Sequence, residues 1–330
     1  MTTRLILAAS LAAGLACALP VAAQAQSGKL VLYTSQPQSD AEQTVAAFEK
    51  ANPGIKVEFV RNGTTQIMNK LEAEFAAGAP VPDVLLIADA MTMETLKAQG
   101  RLAAHPDAKV AGLPAGTYDK DKTYFGTKLI TTGIVYNTGA KTKPVSWKDL
   151  ADPARKGQII MPSPLYSGAA AITLGVIAKR PDLGWKFFEA LKANEAVAVR
   201  GNGAVLRSVA TGEKPYGILV DFMAYNAKAQ GSPVEFVAPK EGVTAVTEPV
   251  AILKTASNKP AARAFIDFLL SEDGQKLALS QGYLAARASV GQPSWLPQGA
   301  TLPLMPMDIA AVLATTEADK KRFAEMFGAA

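Results

Sequence analysis

Residues 28–88, GKLVLYTSQPQSDAEQTVAAFEKANPGIKVEFVRNGTTQIMNKLEAEFAAGAPVPDVLLIA, decide the fold. Leu30-Val31-Leu32-Tyr33 is a short apolar strand running into the polar loop Thr34 to Gln38. Ser39 with Glu42 three residues later reads as a capping box, so a helix is expected to start there. Ala41, Val45 and Phe48 recur at helical spacing, and Asn52-Pro53-Gly54 ends the run. Ile55, Val57 and Phe59 alternate with Lys56 and Glu58, a strand pattern. A second polar loop, Arg61 to Thr65, precedes a helix whose inner stripe is Met68, Leu71 and Phe75. Asp83 to Ile87 is a continuous apolar strand of the kind covered on both faces, and it ends at Ala88-Asp89. Strand, helix, strand, helix, strand implies an α/β unit with parallel strands. Three loops then leave their carboxyl edge, where open sheets bind ligands. Ser35, Gln36, Thr64, Thr65 and Asp89 are expected to converge there.

Upstream, Arg4, the apolar run Leu5 to Ala16 and the Ala23-Gln24-Ala25 site read as an export signal over residues 1–25, cleaved after Ala25 into the periplasm. Cys17, the only cysteine, falls inside it. The exported chain therefore has no thiol or disulfide, and lipid anchoring at Cys17 is the minor alternative. No later stretch approaches the roughly 20 apolar residues that spanning a bilayer requires. With Arg4 set aside, 33 basic side chains face 29 acidic ones, a mild excess that favours anionic ligands through the long-range field. The basic residues are scattered rather than clustered with aromatics, which argues against nucleic acid.

Downstream, Leu129 to Asn137 and Val243 to Lys254 are two extended, β-rich segments bracketing a second α/β stretch. That stretch holds strands at Gln158 to Met161 and Tyr216 to Val220, a helix beginning near Ser167 and an amphipathic helix from Leu183 to Lys192. Helical patterns at 259–270 and 273–281 are expected to return to the first lobe, and a last helix at 307–327 to pack on the second. The expected architecture is α/β and two-lobed. Lobe 1 comprises residues 26–128 and 246–295, lobe 2 residues 129–245 and 296–330, with the ligand cleft between them and two crossing β segments joining them.

Val31-Leu32-Tyr33, the phrase Ala47-Phe48-Glu49-Lys50-Ala51-Asn52-Pro53-Gly54-Ile55-Lys56-Val57, Pro82-Asp83-Val84, Gln99-Gly100-Arg101-Leu102, and Ala264 to Leu269 followed by Gly282-Tyr283-Leu284 carry a resemblance. Together they resemble a type II periplasmic solute-binding protein of an ABC importer, in the branch of ferric-iron, phosphonate, sugar-phosphate and polyamine binders. The resemblance covers nearly the whole exported chain. It implies a monomer whose lobes close over a small ligand without chemistry, then deliver it to an inner-membrane permease driven by a separate ATPase.

Iron binders of this branch present two adjacent tyrosines shortly before a Tyr-Asn dipeptide. Here Tyr225-Asn226 is kept, but Phe222 and Met223 stand in the places of the pair, and Pro37-Gln38 where a first-lobe iron ligand is often found. A phenyl ring and a thioether are poor partners for ferric ion, so no metal is expected. The anion half of that site is retained as Ser167-Gly168-Ala169 and Asn202, where a hydroxyl and free amides at a helix start favour negative charge. Simple helix capping by Ser167 is the alternative. The resemblance thus implies a small anionic solute, either an organophosphonate such as 2-aminoethylphosphonate or a phosphate ester such as a sugar phosphate. Ferric iron with a synergistic anion, or a polyamine, are the alternatives. Asp89 and Asp221 either meet an amine or hydroxyls of that solute or serve only as a cap and a backbone acceptor. Tyr166, Thr132 and Tyr225 complete the expected ligand residues, and Glu248 is a candidate for a hinge ion pair.

An enzyme is the rival class. A lone His105, no G-x-S-x-G, no H-E-x-x-H and no cysteine nucleophile disfavour a secreted hydrolase. The expectation is a binding protein with no cofactor, and a membrane sensor in place of a permease fits the same residues.

Overall fold

The structure is a computed structural model that describes residues 27–114 and 116–328; the expected export signal, with Cys17, lies outside them. The strands are β1 (Gly28–Thr34), β2 (Ile55–Arg61), β3 (Val84–Leu86), β4 (Leu102–Ala103), β5 (Tyr124–Asn137), β6 (Ile159–Pro162), β7 (Val197–Val199), β8 (Tyr216–Val220), β9 (Val234–Val237), β10 (Thr244–Leu253) and β11 (Leu284–Ala285). The helices are α1 (Gln38–Ala51), α2 (Thr64–Ala76), α3 (Ala90–Ala98), α4 (Trp147–Leu150), α5 (Gly168–Ala178), α6 (Gly184–Ala193), α7 (Asn202–Ala210), α8 (Asp221–Ala229), α9 (Lys259–Leu270), α10 (Glu272–Ser280) and α11 (Ile309–Phe327).

The sheet order β2-β1-β3-β10-β5-β8-β6-β7 contains two parallel blocks. At one end β1 pairs in parallel with β2 and β3; at the other β6 pairs in parallel with β7 and β8. Between them β10 and β5 run antiparallel to each other and to their neighbours. Each block with its helices is a lobe, and the β5–β10 pair carries the chain between them. One core gathers Leu30, Leu32, Phe48, Ile55, Phe125 and Phe265 on the β1–β3 block. Another gathers Trp147, Ile159, Ile172, Phe187, Leu191 and Phe323 on the β6–β8 block.

Local sequence explains the elements. Asn258 caps α9, Pro260 sits in its first turn, and Ala261, Ala262, Phe265, Ile266 and Leu269 form its buried stripe. Burying a side chain the size of Phe265 contributes roughly 1.5–3 kcal/mol. Asp308 caps α11, which docks on α5 through the Lys179–Asp319 ion pair of 3.1 Å and by seating Val312 on Gly175.

Two local expectations are corrected. α1 starts at Gln38 with Pro37 in the cap position, and Ser39 bonds to the Asp40 carboxylate instead of capping the helix. The proline ring holds φ at −51°, already suited to a helix entry, so the chain turns two residues sooner than the capping box suggests. Thr64 and Thr65 are not loop residues but the first turn of α2, entered from Gly63.

Candidate functional site

A cavity of about 330 Å3 lies between the two blocks of strands. Its rim comes from residues at and just beyond the ends of parallel strands: Ser35 and Pro37 after β1, Arg61 at the end of β2 and Gly63 after it, Ala88 after β3, Arg200 after β7, and Val220 with Phe222 around the end of β8. Helices begin immediately afterwards, so the cavity is bordered by the N-termini of α1, α2, α5, α7 and α8. Free amide protons and the positive ends of those helix dipoles favour an anion there.

Ser167 is the N-cap of α5. Its Oγ accepts from the Ala170 N–H at 3.3 Å and from Asn202 Nδ2 at 3.3 Å. With both acceptor positions of the hydroxyl taken, its proton is left to donate. Ser35 is held in the same way, its Oγ accepting from the Ala88 N–H at 2.9 Å. Capping and ligand contact are therefore compatible at Ser167.

Three cations line the cavity: Arg61, Arg200 and Arg207. None of them takes part in an ion pair among the described residues, whereas Arg101, Arg180 and Arg322 each sit on a carboxylate. The one acidic wall residue is Glu248, and it is already matched by Lys128 at 2.8 Å, both side chains being buried. The β10 register shifts between Thr247 and Pro249, and this bulge turns Glu248 toward the cavity. Burial pushes the Glu248 carboxyl up, and the Lys128 ammonium opposes that. Apolar walls come from Ile130, Val220, Phe222, Met223 and Tyr283. Phe222 packs on the Tyr283 ring at 4.1 Å, a contact that joins the two lobes.

The lobes touch around Tyr166. Its hydroxyl donates to Asn62 Oδ1 at 3.2 Å, and its carbonyl accepts the Thr65 N–H at 3.4 Å. Arg61 Nη1 reaches the phenol oxygen at 3.5 Å, and Arg200 lies over the ring at 4.7 Å. Gly168 serves closure: a methyl group there would lie 2.5 Å from the Ala88 carbonyl oxygen and 2.8 Å from Thr64 Oγ1. The oxygen that approaches Gly168 thus belongs to the other lobe.

Of the residues expected from sequence, Ser35, Thr64, Tyr166, Ser167, Gly168, Ala169 and Asn202 share this cavity. Gln36, Thr65, Asp89, Thr132, Asp221 and Tyr225 do not line it. Gln36 is buried beside Thr44 and Lys128, and its carbonyl accepts from Arg61 Nε at 2.6 Å. Thr65 and Asp89 face a different hollow, between α2, α3 and α11. Asp89 caps α3, accepting from the amides of Met91 and Thr92 at 2.9 and 3.2 Å and from the Thr92 hydroxyl at 2.6 Å. Thr132 is buried in β5 between Val220 and Thr244. Asp221 accepts from the Thr131 hydroxyl at 2.8 Å and the Phe222 amide at 2.7 Å, and burial pushes its carboxyl up to about 7. Tyr225 stacks on Trp295, ring centroids 4.1 Å apart. The three arginines were missed, although Arg61 and Arg200 obey the strand-end rule that found the serines and threonines.

Residues 34–276 match the family described as bacterial extracellular solute-binding protein. A Haemophilus influenzae protein described as uncharacterized is 31% identical over 289 residues, covering 83% of this chain and 81% of the relative. The iron uptake protein A1 of Synechocystis is 26% identical, covering 76% and 74%. Among solved structures, the periplasmic binding protein AfuA from Actinobacillus pleuropneumoniae, with exogenous fructose-6-phosphate bound, superposes with a TM-score of 0.81 at 25% identity, covering 92% of this chain and 99% of AfuA. Iron-bound HitA from Pseudomonas aeruginosa superposes at 0.78 with 22% identity, covering 89% and 99%, and shares the fold. Two lobes, a cleft at the strand ends and these matches together establish that the chain belongs to the bacterial extracellular solute-binding family, as a periplasmic solute-binding protein of the ABC-transporter type.

Proposed function

We propose that the protein is a monomer that captures a small organic phosphate or phosphonate by lobe closure and delivers it to an inner-membrane ABC permease and its ATPase. The observation that carries this reading is charge. Five helix N-termini and three arginines that have no carboxylate partner among the described residues border one cavity, whose acidic wall residue, Glu248, is paired with Lys128. The phosphoryl head docks on the Ser167 hydroxyl and the amides of Gly168 and Ala169, beside Asn202 and Arg207. Charge-assisted hydrogen bonds of this kind contribute about 1.5–3 kcal/mol each.

The same charge inventory ranks the alternatives. A polyamine needs free carboxylates, and Asp89 and Asp221 are occupied as cap and buried acceptor. A ferric ion would meet Phe222 and Met223 on the wall. An aminophosphonate needs an acid for its ammonium, and Glu248 is already paired, so a phosphate ester is favoured over 2-aminoethylphosphonate. AfuA, crystallised with fructose-6-phosphate, is consistent with that preference. His105, tied to Asp267 at 2.9 Å, lines no part of the cleft, which supports binding without chemistry.

The test is a thermal-shift and calorimetry panel of fructose 6-phosphate, glycerol 3-phosphate, 2-aminoethylphosphonate, spermidine and ferric citrate. A ligand at about 100 times its Kd stabilises by about 2.7 kcal/mol. Phosphate esters are expected to stabilise the wild type, and Ser167→Ala to weaken them at least tenfold with the fold intact. Stabilisation by spermidine alone or ferric citrate alone would overturn the reading.

A further inference from the structure

We propose that the closed cleft holds a second anion subsite, formed by Arg61 from one lobe and Arg200 from the other, and that the ligand is a phosphate ester carrying a carboxylate. This rests on the phosphoryl reading of the site above and adds a second acidic group to it.

The two guanidinium groups come from opposite ends of the sheet, Arg61 at the end of β2 and Arg200 just after β7. Closure brings both to the same pair of polar atoms. Arg61 Nη1 is 3.5 Å from the Tyr166 oxygen, that oxygen is 3.2 Å from Asn62 Oδ1, and Asn62 Oδ1 is 3.5 Å from Arg200 Nη2. Links of 3.5 Å are too long to satisfy a guanidinium. Arg61 is nonetheless oriented, because its Nε is fixed on the Gln36 carbonyl at 2.6 Å while its Nη edge stays available. Arg200 is oriented by lying over the Tyr166 ring. Both forks line the cavity with donors to spare.

Bringing two like charges together opposes closure unless an anion lies between them. In the phosphoryl reading above the head is held by the Ser167 hydroxyl and the amides of Gly168 and Ala169, beside Asn202 and Arg207, so a second anionic group is the one proposed between Arg61 and Arg200. Charge counting agrees. The three arginines contribute three positive charges, the Lys128–Glu248 pair contributes none, and a phosphate monoester carries between 1.5 and 2 negative charges at pH 7. A carboxylate supplies the remainder, and its two oxygens suit the planar fork of a guanidinium. The subsite is complete only when the lobes are shut, so the second acid group favours the closed form specifically. An ester with no second acid group fills the head-group site and leaves Arg61 and Arg200 without an anion between them.

Titration calorimetry of the full exported chain with glycerol 3-phosphate, 3-phosphoglycerate and fructose 1,6-bisphosphate, on wild type, Arg61→Gln and Arg200→Gln, tests this. For the wild type, 3-phosphoglycerate is expected to bind at least tenfold more tightly than glycerol 3-phosphate. In either variant that advantage is expected to fall below threefold. An advantage below threefold in the wild type, one that survives in both variants, or an equal loss for both ligands would overturn the second subsite and leave the phosphoryl reading standing. A preference for the bisphosphate over 3-phosphoglycerate would overturn the assignment of a carboxylate. Binding of none of the three would remove the phosphoryl reading itself, and the subsite with it.

Discussion

Gly63 and Tyr166 meet across the cleft so closely that one more carbon has no room: a methyl group on Gly63 would lie 2.6 Å from the Tyr166 carbonyl oxygen and 2.7 Å from its ring. Gly63 has φ −63°, a conformation open to any residue, so its smallness is required by the opposite lobe and not by its own backbone. Gly63→Ala is therefore expected to leave the open form sound and to penalise closure. Overpacking of this kind costs about 1–3 kcal/mol, or roughly a 5- to 150-fold loss of ligand affinity. Small-angle scattering with and without ligand, beside calorimetry, checks it; normal compaction with unchanged affinity would contradict it.

Asp89 separates capping from ligand binding. Asp89→Ala removes the acceptor for two amides of α3 and is expected to cost about 1 kcal/mol of stability while leaving ligand affinity unchanged. Asp89→Ser should restore most of the loss. Urea unfolding and calorimetry on both variants decide this, and a tenfold loss of affinity in a stably folded Asp89→Ala would return the residue to the binding site.

The Lys128–Glu248 pair is almost wholly desolvated, so breaking it should be more costly than removing it. Lys128→Met alone is expected to destabilise by about 3–5 kcal/mol, because an unmatched carboxylate is left in the interior. Lys128→Met combined with Glu248→Leu is expected to recover most of that. A double-mutant cycle by chemical denaturation measures the coupling, and additive losses would refute it.

Asp221 gives a pH dependence whose sign follows from its burial. The folded carboxyl titrates at about 7, against an ordinary value of 3.8, because desolvation outweighs the Thr131 and Phe222 donors. Between those values the unfolded chain has released a proton that the native state keeps, so this group's contribution to stability declines as pH rises from about 4 to about 7 and is level above that. Asp221→Asn is expected to flatten the decline. Unfolding at pH 4.5 and 8 on both proteins tests it, and identical pH profiles would remove the effect.

Most of the fold was legible because hydrophobic periodicity reports burial directly. The alternation in β2, the helical pattern of α9 and the apolar run of β8 read correctly for that reason. Helix starts were less legible. Ser39 and Glu42 have capping-box chemistry, but the proline two residues earlier sets the turn, and Thr64 and Thr65 look like loop residues because they are polar. In the site, Ser167, Asn202 and Tyr166 line one cavity, while Asp89 caps α3 and Asp221 accepts from Thr131 and Phe222. Nothing along the chain distinguishes a carboxylate that caps its own helix from one that faces a ligand. Arg61 and Arg200 stand 139 positions apart, and only the closed arrangement of the lobes makes them neighbours.

The two crossing segments do more than connect. β5 and β10 are hydrogen-bonded to each other from Thr132 and Thr244 to Tyr124 and Ala251, so they flex as one ribbon, like the spine of a book, rather than as two independent strings. In the closure proposed above, such a spine resists twisting and sliding, so the covers are expected to swing about one axis. Whatever is seated inside is then reported outside as a single number, the separation of the outer edges. A membrane receptor gripping both edges can read occupancy from that gap without touching the cargo.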